Sequence, residues 1–214
     1  MLTYIRNNYP DILAALVQHV WLSLIPIVVG AALALPVGYL AVRHRSLYQP
    51  LVNLGGVIYS IPSLALFLMI PAVIGTGVLS TLNVVIGLSL YTLALLTRSV
   101  ADALLSVQGQ ATQAAFALGY RPLGRLLRVE LPMAVPVLFA GLRVATVANI
   151  SLVSVAALVG SGGLGVLFTS GFQLGFVDPI IIGIVLSVLL AAAADVLLVL
   201  LQRQLTPWAR AGGR

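Results

Sequence analysis

The chain has 214 residues, of which 61% are hydrophobic and 7% are charged, with 11 basic and 5 acidic side chains and no cysteine. Soluble globular domains have about a quarter of their residues charged, so this composition excludes a soluble domain, a disordered chain and a disulfide-bonded scaffold. Every basic residue is an arginine, which also excludes functions that require a lysine side chain.

Five apolar stretches are long enough to cross a membrane, because a hydrocarbon core of about 30 Å requires roughly 20 helical residues. We predict spans at about residues 17–42, 51–75, 82–105, 132–159 and 179–202. The first stretch has some features of a signal peptide, but its apolar residues continue to Val42 and stop at Arg43, which favours an uncleaved span. The expected fold class is an all-α integral membrane protein, with one domain over residues 1–214.

The arginines fall largely on one side of the membrane if the N-terminus lies outside. Only Arg6 would then be outside, and Arg143 lies within the fourth span. Because inner loops of membrane proteins carry an excess of positive charge, we predict an outside N-terminus and an inside C-terminus. The inner arginines would be Arg43, Arg45, Arg98, Arg121, Arg125, Arg128, Arg203, Arg210 and Arg214.

The loops between the spans differ in length. Residues 49–50 predict a tight inner turn and residues 75–77 a tight outer turn. The inner segment at about residues 106–131 is long enough to bind an intracellular partner. The outer segment 161–178 is rich in glycine and aromatic residues, which indicates a short re-entrant or interfacial piece.

No catalytic or metal-binding pattern is evident. His19 and His44 lie at opposite ends of the first span, and the five carboxylates show no paired spacing. We expect no catalytic residue, no metal and no cofactor on this chain. A phosphate-binding P-loop requires a lysine, so any ATP that drives the protein would be hydrolysed, with Mg²⁺, by a separate subunit.

Residues 160–165 match the dinucleotide-binding pattern G-x-G-x-x-G. That pattern functions between a strand and a helix, whereas here it follows a membrane span on the outer side. We interpret the run as a hinge or close-packing point near an outer gate. Its glycines are Gly160, Gly162, Gly163 and Gly165.

The inner segment contains the most informative motif, because residues 113–119 read QAAFALG and, after nine residues, 129–132 read VELP. This resembles the cytoplasmic signature of ATP-binding cassette (ABC) importer permeases, E-A-A, three residues, G, nine residues, I-x-L-P. A short alanine-rich helix can enter a partner's groove, Gly119 can end it, and Pro122 suits a first helical turn. Gln113 replaces the usual glutamate, so hydrogen bonding is kept but charge is lost. The expected ATPase-coupling residues are Gln113, Ala114, Ala115, Phe116, Gly119, Arg121, Glu130 and Pro132.

Residues 59–66, 141–146 and 156–165 are similar to permeases of the glycine betaine, carnitine and choline uptake branch. The resemblance implies a type I, methionine-permease-like fold in the bacterial inner membrane. It also implies two ATPase subunits, a second permease copy or a similar permease, an extracytoplasmic binding protein, and no nucleic acid. The alternatives are a permease for another solute such as methionine or taurine, an ion-coupled secondary transporter, and a non-transporting scaffold.

Polar residues inside the spans are the remaining candidates. Arg143 and Asp195 fall at overlapping depths, which predicts an intramembrane ion pair. The pair would clamp two helices together, and a direct role in substrate binding is the alternative. Thr146, Asn149 and Val153 share one helical face, which we assign to the translocation path. Weaker candidates for the path, with helix packing as the equal alternative, are Tyr59, Ser60, Ser63, Ser89 and Thr92.

The first span also contains small residues at regular spacing. Gly30, Ala34 and Gly38 recur at four-residue spacing, which favours close helix packing. A quaternary ammonium substrate could use aromatic faces, but the sequence shows no clear aromatic cage in the spans.

Overall fold

A computed structural model describes residues 1–107 and 109–208, so Arg210 and Arg214 lie outside the described residues. In this part the chain is helical and contains no strand. The described residues form nine α-helices, which are α1 (Leu2–Arg43), α2 (Arg45–Ser60), α3 (Ser63–Ile74), α4 (Thr81–Ser106), α5 (Gln110–Ala117), α6 (Pro122–Arg125), α7 (Leu131–Ala156), α8 (Gly165–Leu174) and α9 (Val177–Leu205).

The membrane-spanning elements are formed by the long apolar helices. In the described residues, α1, α4, the continuous stretch Pro122–Val159 and α9 are each long and apolar enough to cross a membrane. A fifth crossing would be the pair α2 and α3, which bends by 102° at its break. The predicted all-α membrane fold is confirmed, whereas the single-domain organisation stays a prediction.

Helix α1 begins much earlier than the predicted first span. It begins at Leu2 rather than near residue 17, and it bends at Asn8, which has non-helical torsions (φ −119°, ψ 17°). The charged residues Arg6 and Asp11 conceal this extension from a search for apolar runs. The extension is held near α9, because the N-terminal amine lies 2.7 Å from Asp178 Oδ2.

The inner turn lies at a different position from the predicted one. His44 has extended torsions (φ −118°, ψ 95°) and separates α1 from α2, so the prediction of a turn at residues 49–50 is wrong. Pro50 lies inside α2. The outer turn does follow α3, where Gly75 adopts a left-handed conformation (φ 79°).

Helix α4 is the centre of the bundle, with α1, α2, α3 and α7 packed around it. Small residues allow α1 to approach closely: a Cβ atom at Gly30 would lie 2.4 Å from Thr92 Cβ, and one at Gly38 would lie 2.6 Å from Val100 Cγ1. Ala34 between them is fully buried. The spacing of these three residues therefore serves helix packing.

Candidate functional site

The inner segment folds as a short helix with a defined end. Helix α5 is followed by Gly119, whose left-handed torsion (φ 78°) suits glycine. The Tyr120 N–H donates to the Ala115 carbonyl at 3.1 Å, which is the long hydrogen bond of a glycine-type C-terminal cap. Pro122 then begins α6. The local structure that the motif predicts is therefore present.

Helix α5 leaves its large apolar side chains outside the bundle. Ala115 is buried, whereas Phe116 is 73% exposed and Leu118 is 78% exposed. Gln113 and Ala114 are exposed as well. Such apolar groups on the arginine-rich inner end form a surface suited to a protein partner.

The segment is braced on its other side by an ion pair. Arg125 Nε lies 2.7 Å from Glu130 Oε1, across a π-helical turn that spans Leu126–Glu130 and continues into α7. These two side chains and Gln113 line a cavity of ≈ 310 Å³. Glu130 therefore stabilises the segment from within, whereas Arg121 is exposed. Pro132 lies in the first turn of α7, which follows the π-helical turn without a break.

The outer glycine run is a compact turn, which favours the packing alternative over an open hinge. Gly160, Gly162 and Gly163 have left-handed torsions of 77°, 79° and 74°. A Cβ atom at Gly165 would lie 2.2 Å from the backbone oxygen of Ser154. These glycines are therefore needed both for backbone conformation and for close approach to α7.

Two adjacent side chains of α1 hold this turn. Gln18 Oε1 accepts the Gly163 N–H at 3.2 Å, and Gln18 Nε2 donates to the Ser161 carbonyl at 3.0 Å. The sequence shows these two polar residues side by side at the start of the predicted first span, and such residues usually find partners inside the bundle. We call Gln18 and His19 the α1 clamp.

His19 makes the buried half of the α1 clamp and is fully buried itself. Its Nδ1 atom accepts the Leu164 N–H at 3.1 Å, and its Nε2 atom lies 2.9 Å from the Ile150 carbonyl. Because a backbone N–H can only donate, Nδ1 carries no proton, and the imidazole is the neutral form that donates from Nε2. His19 thereby joins α1, α7 and the outer turn.

Arg143 and Asp195 are brought together by the structure. Arg143 Nε lies 2.6 Å from Asp195 Oδ1, and Arg143 Nη2 lies 2.8 Å from Asp195 Oδ2. Two parallel hydrogen bonds give this pair the strong bidentate geometry of arginine and carboxylate. The pair joins α7 to α9, and both side chains are partly exposed. A substrate role for the pair stays a hypothesis.

The predicted path face of α7 is packed inside the chain. Asn149 is 2% exposed and donates to Thr92 Oγ1 at 2.8 Å. Thr146 and Val153 are buried too, as is Ser89, which donates to the Val85 carbonyl. These side chains line no open surface of the described part of the chain, so the observed burial favours the packing alternative for them.

The other predicted path residues lie at the break between α2 and α3. Tyr59 and Ser60 are exposed, and Ser63 is half-buried. The described residues contain no group of three or more histidine and acidic side chains that could hold a metal ion.

Comparison with solved structures supports the architecture. The chain has a TM-score of 0.81 with the permease fold in an inward-facing MetNI methionine ABC transporter, at 21% identity over 91% of this chain and 96% of that chain. An amino acid ABC transporter solved with histidines gives a TM-score of 0.77 at 16% identity, over 94% of this chain and 97% of that chain. These likenesses confirm the type I permease fold.

Comparison with curated proteins gives relatives that align nearly end to end. The osmoprotectant import permease protein OsmW of Salmonella typhimurium is 37% identical over 95% of this chain and 96% of its own length. The glycine betaine/carnitine/choline transport system permease protein OpuCD of Bacillus subtilis is 31% identical over 96% of this chain and 89% of its own length. Residues 27–207 match the model of one transport family. The chain therefore belongs to the family of inner membrane components of binding-protein-dependent transport systems, the multi-pass permeases of ABC importers.

Proposed function

We propose that this permease imports a small osmoprotectant of the quaternary ammonium class, such as glycine betaine, choline or carnitine. The similarity over 95% of the chain to an osmoprotectant permease carries the proposal. The methionine transporter permease is only 21% identical to this chain in sequence. This likeness supports the fold and does not favour methionine as the substrate.

The permease would work with three kinds of partner. Two separate ATPase subunits would bind ATP and Mg²⁺, because no lysine is available for a P-loop on this chain. An extracytoplasmic binding protein would deliver the solute. A second permease copy or a similar permease would complete the pathway, since the polar side chains of α7 are used for packing within one copy.

Coupling would begin at α5. Phe116 and Leu118 are the exposed apolar side chains that would enter a groove on the ATPase. The brace between Arg125 and Glu130 would carry the movement into α7 as a rigid body. ATP binding and the loaded receptor would bias the bundle toward the outward-open state, and hydrolysis would allow release inside.

Uptake by the reconstituted transporter tests this function. The permease, its ATPase and its binding protein are placed in proteoliposomes with ATP enclosed on the ATPase side, and radiolabelled choline and glycine betaine are followed. We expect ATP-dependent uptake that requires all components. Uptake by the permease alone under an ion gradient, or ATP-dependent uptake of methionine but of neither osmoprotectant, would contradict the proposal.

A further inference from the structure

Helix α2 carries a stripe of polar and small residues on its exposed face. Gln49, Asn53, Gly56 and Ser60 are all exposed, and their spacing of four, three and four residues places them in one row along the helix. We call this row the α2 stripe. Gln49 Nε2 donates to Asn53 Oδ1 at 2.8 Å, so its two amides satisfy each other in part.

The orientation of α2 is fixed by its contacts with α4. A Cβ atom at Gly55 would lie 3.0 Å from the Ala94 backbone oxygen, and the Tyr48 hydroxyl donates to Asp102 Oδ1 at 3.0 Å. The α2 stripe therefore points away from its own bundle. It extends about 16 Å along the helix from Gln49 to Ser60. Polar side chains at membrane depth face a bundle interior or a water-filled cavity rather than lipid.

The stripe ends at the break between α2 and α3. Ile61 and Pro62 have extended torsions there (φ −67°, ψ 129° and φ −57°, ψ 132°). The Ser60 hydroxyl donates to the Val57 carbonyl, and the Tyr91 hydroxyl donates to the Ile61 carbonyl. Within the described residues, the carbonyl oxygen of Tyr59 accepts no hydrogen bond across the break. The C-terminal end of a helix also carries partial negative charge.

An aromatic ring lies beside this negatively polarised helix end. Tyr59 is 45% exposed, and its ring centroid lies 5.4 Å from that of Tyr91. Tyr91 is buried and fixed by its hydrogen bond to Ile61, so it supports one side of the Tyr59 ring. An exposed aromatic ring next to carbonyl dipoles attracts a diffuse cation, and it does not require the cation to donate a hydrogen bond.

We propose that the α2 stripe lines the solute pathway and that Tyr59, with the carbonyl end of α2, contacts the quaternary ammonium group during passage. The inference rests on the proposed osmoprotectant substrate. A trimethylammonium group has no N–H to donate, so it suits a ring face and helix carbonyls, whereas the same helix end would repel an anion. Such a contact is weak, which suits a site that must release its solute.

Direct binding tests the contact with Tyr59. The complete transporter is placed in lipid nanodiscs without its binding protein, and choline is compared with its neutral isostere 3,3-dimethylbutan-1-ol by saturation-transfer NMR titration. We expect choline to bind more tightly than the isostere in the native protein and in Tyr59→Phe. Tyr59→Leu should weaken choline binding roughly 2- to 30-fold, and Trp21→Leu, an exposed aromatic on α1, should not.

Equal binding of choline and its isostere, or native binding in Tyr59→Leu, would overturn the inference. The uptake experiment on the native transporter separates this failure from failure of the proposed function. If choline is taken up but its binding does not depend on Tyr59, the contact with Tyr59 is refuted and the proposed function is not. If choline binding depends on Tyr59 but neither choline nor glycine betaine is taken up, the contact is supported and the proposed function is refuted.

Cysteine accessibility tests the α2 stripe, because the natural chain contains no cysteine. In a transporter whose other subunits are also free of cysteine, Gly56→Cys is compared with Leu54→Cys, an exposed position on the other side of α2. A thiol in water ionises and reacts with a charged methanethiosulfonate, whereas a thiol in lipid does not. We expect labelling at position 56 and none at position 54. Equal labelling, or labelling at position 54 alone, would refute the assignment.

Discussion

Replacement of His19 is the most direct test of how the outer end of the permease is held together. His19→Leu replaces the imidazole by an apolar side chain of similar size and removes both hydrogen bonds. Leu164 is fully buried, so its N–H would be left without an acceptor in a dry site. An unsatisfied buried group of this kind costs about 1–3 kcal/mol. Ile150 lies inside α7, where its carbonyl also has a helical partner, so its share of the loss should be small.

Two further variants separate the two hydrogen bonds of His19. In His19→Asn the amide oxygen lies near the position of Nδ1 and can accept the Leu164 N–H. In His19→Gln the longer side chain places an amide donor near the position of Nε2, toward the Ile150 carbonyl. We therefore expect His19→Asn to recover most of the lost stability and His19→Gln to recover little.

Thermal unfolding of the assembled transporter in detergent measures this ranking. For a chain of this size, 1 kcal/mol corresponds to about 2–4 °C in the melting temperature, so His19→Leu should melt about 2–12 °C below the native protein. A melting temperature within about 1 °C of the native value would show that the hydrogen bond to Leu164 contributes nothing. Rescue by His19→Gln but not by His19→Asn would assign the stabilisation to the Ile150 contact instead.

Substitutions at three other places in the molecule separate the effects of packing, backbone conformation and charge. Gly165→Ala places a methyl group against the backbone of α7 and should abolish assembly of the transporter. Gly56→Ala has open space around its Cβ position and should leave assembly intact. Immunoblotting of purified complexes compares the amount of permease that the two variants assemble. Gly119→Asp should keep ATP hydrolysis but lose solute uptake. Gly119→Asn should retain more uptake per ATP, because Asn is the residue that replaces Gly at left-handed helix caps; equal coupling in the two variants would refute this backbone explanation. Asp195→Leu should lower the melting temperature, because it leaves Arg143 as an unpaired charge within the membrane. The double variant Arg143→Met with Asp195→Leu should recover the melting temperature, since no charge is then unpaired. A melting temperature of the double variant below that of Asp195→Leu would contradict this.

The sequence predicts those features that depend on local chemistry. The termination of α5 just before Gly119 and the start of α6 at Pro122 follow from backbone preferences that a neighbouring helix does not alter. The partnership of Arg143 and Asp195 could be anticipated as well, since an isolated charge in lipid is costly at any rotation of its helix. Close packing at Gly30 follows from the absence of a side chain.

Features that depend on the rotation of a helix could not be predicted in this way. Gln18 and His19 contact residues more than 130 positions away in the chain, so nothing in their own segment identifies their partners. The early start of α1 is concealed because its first turns carry charge near the membrane surface. The turn at His44 is concealed because Pro50 is a strong turn signal, yet a helix can accommodate it.

The hydrogen-bond partners of polar side chains differ between α7, which carries the predicted path face, and α2. A polar side chain within a span either finds a partner in its own chain or requires water or another chain. On α7 the partners are internal: Thr146 donates to the Leu142 carbonyl, and Asn149 donates to Thr92. On α2, among the described residues, the Asn53 amide forms a hydrogen bond only with its neighbour Gln49, and both side chains remain exposed. Polarity alone cannot distinguish these helices, whereas the unmet hydrogen-bonding capacity of α2 favours α2 as the helix that we propose lines a wet pathway.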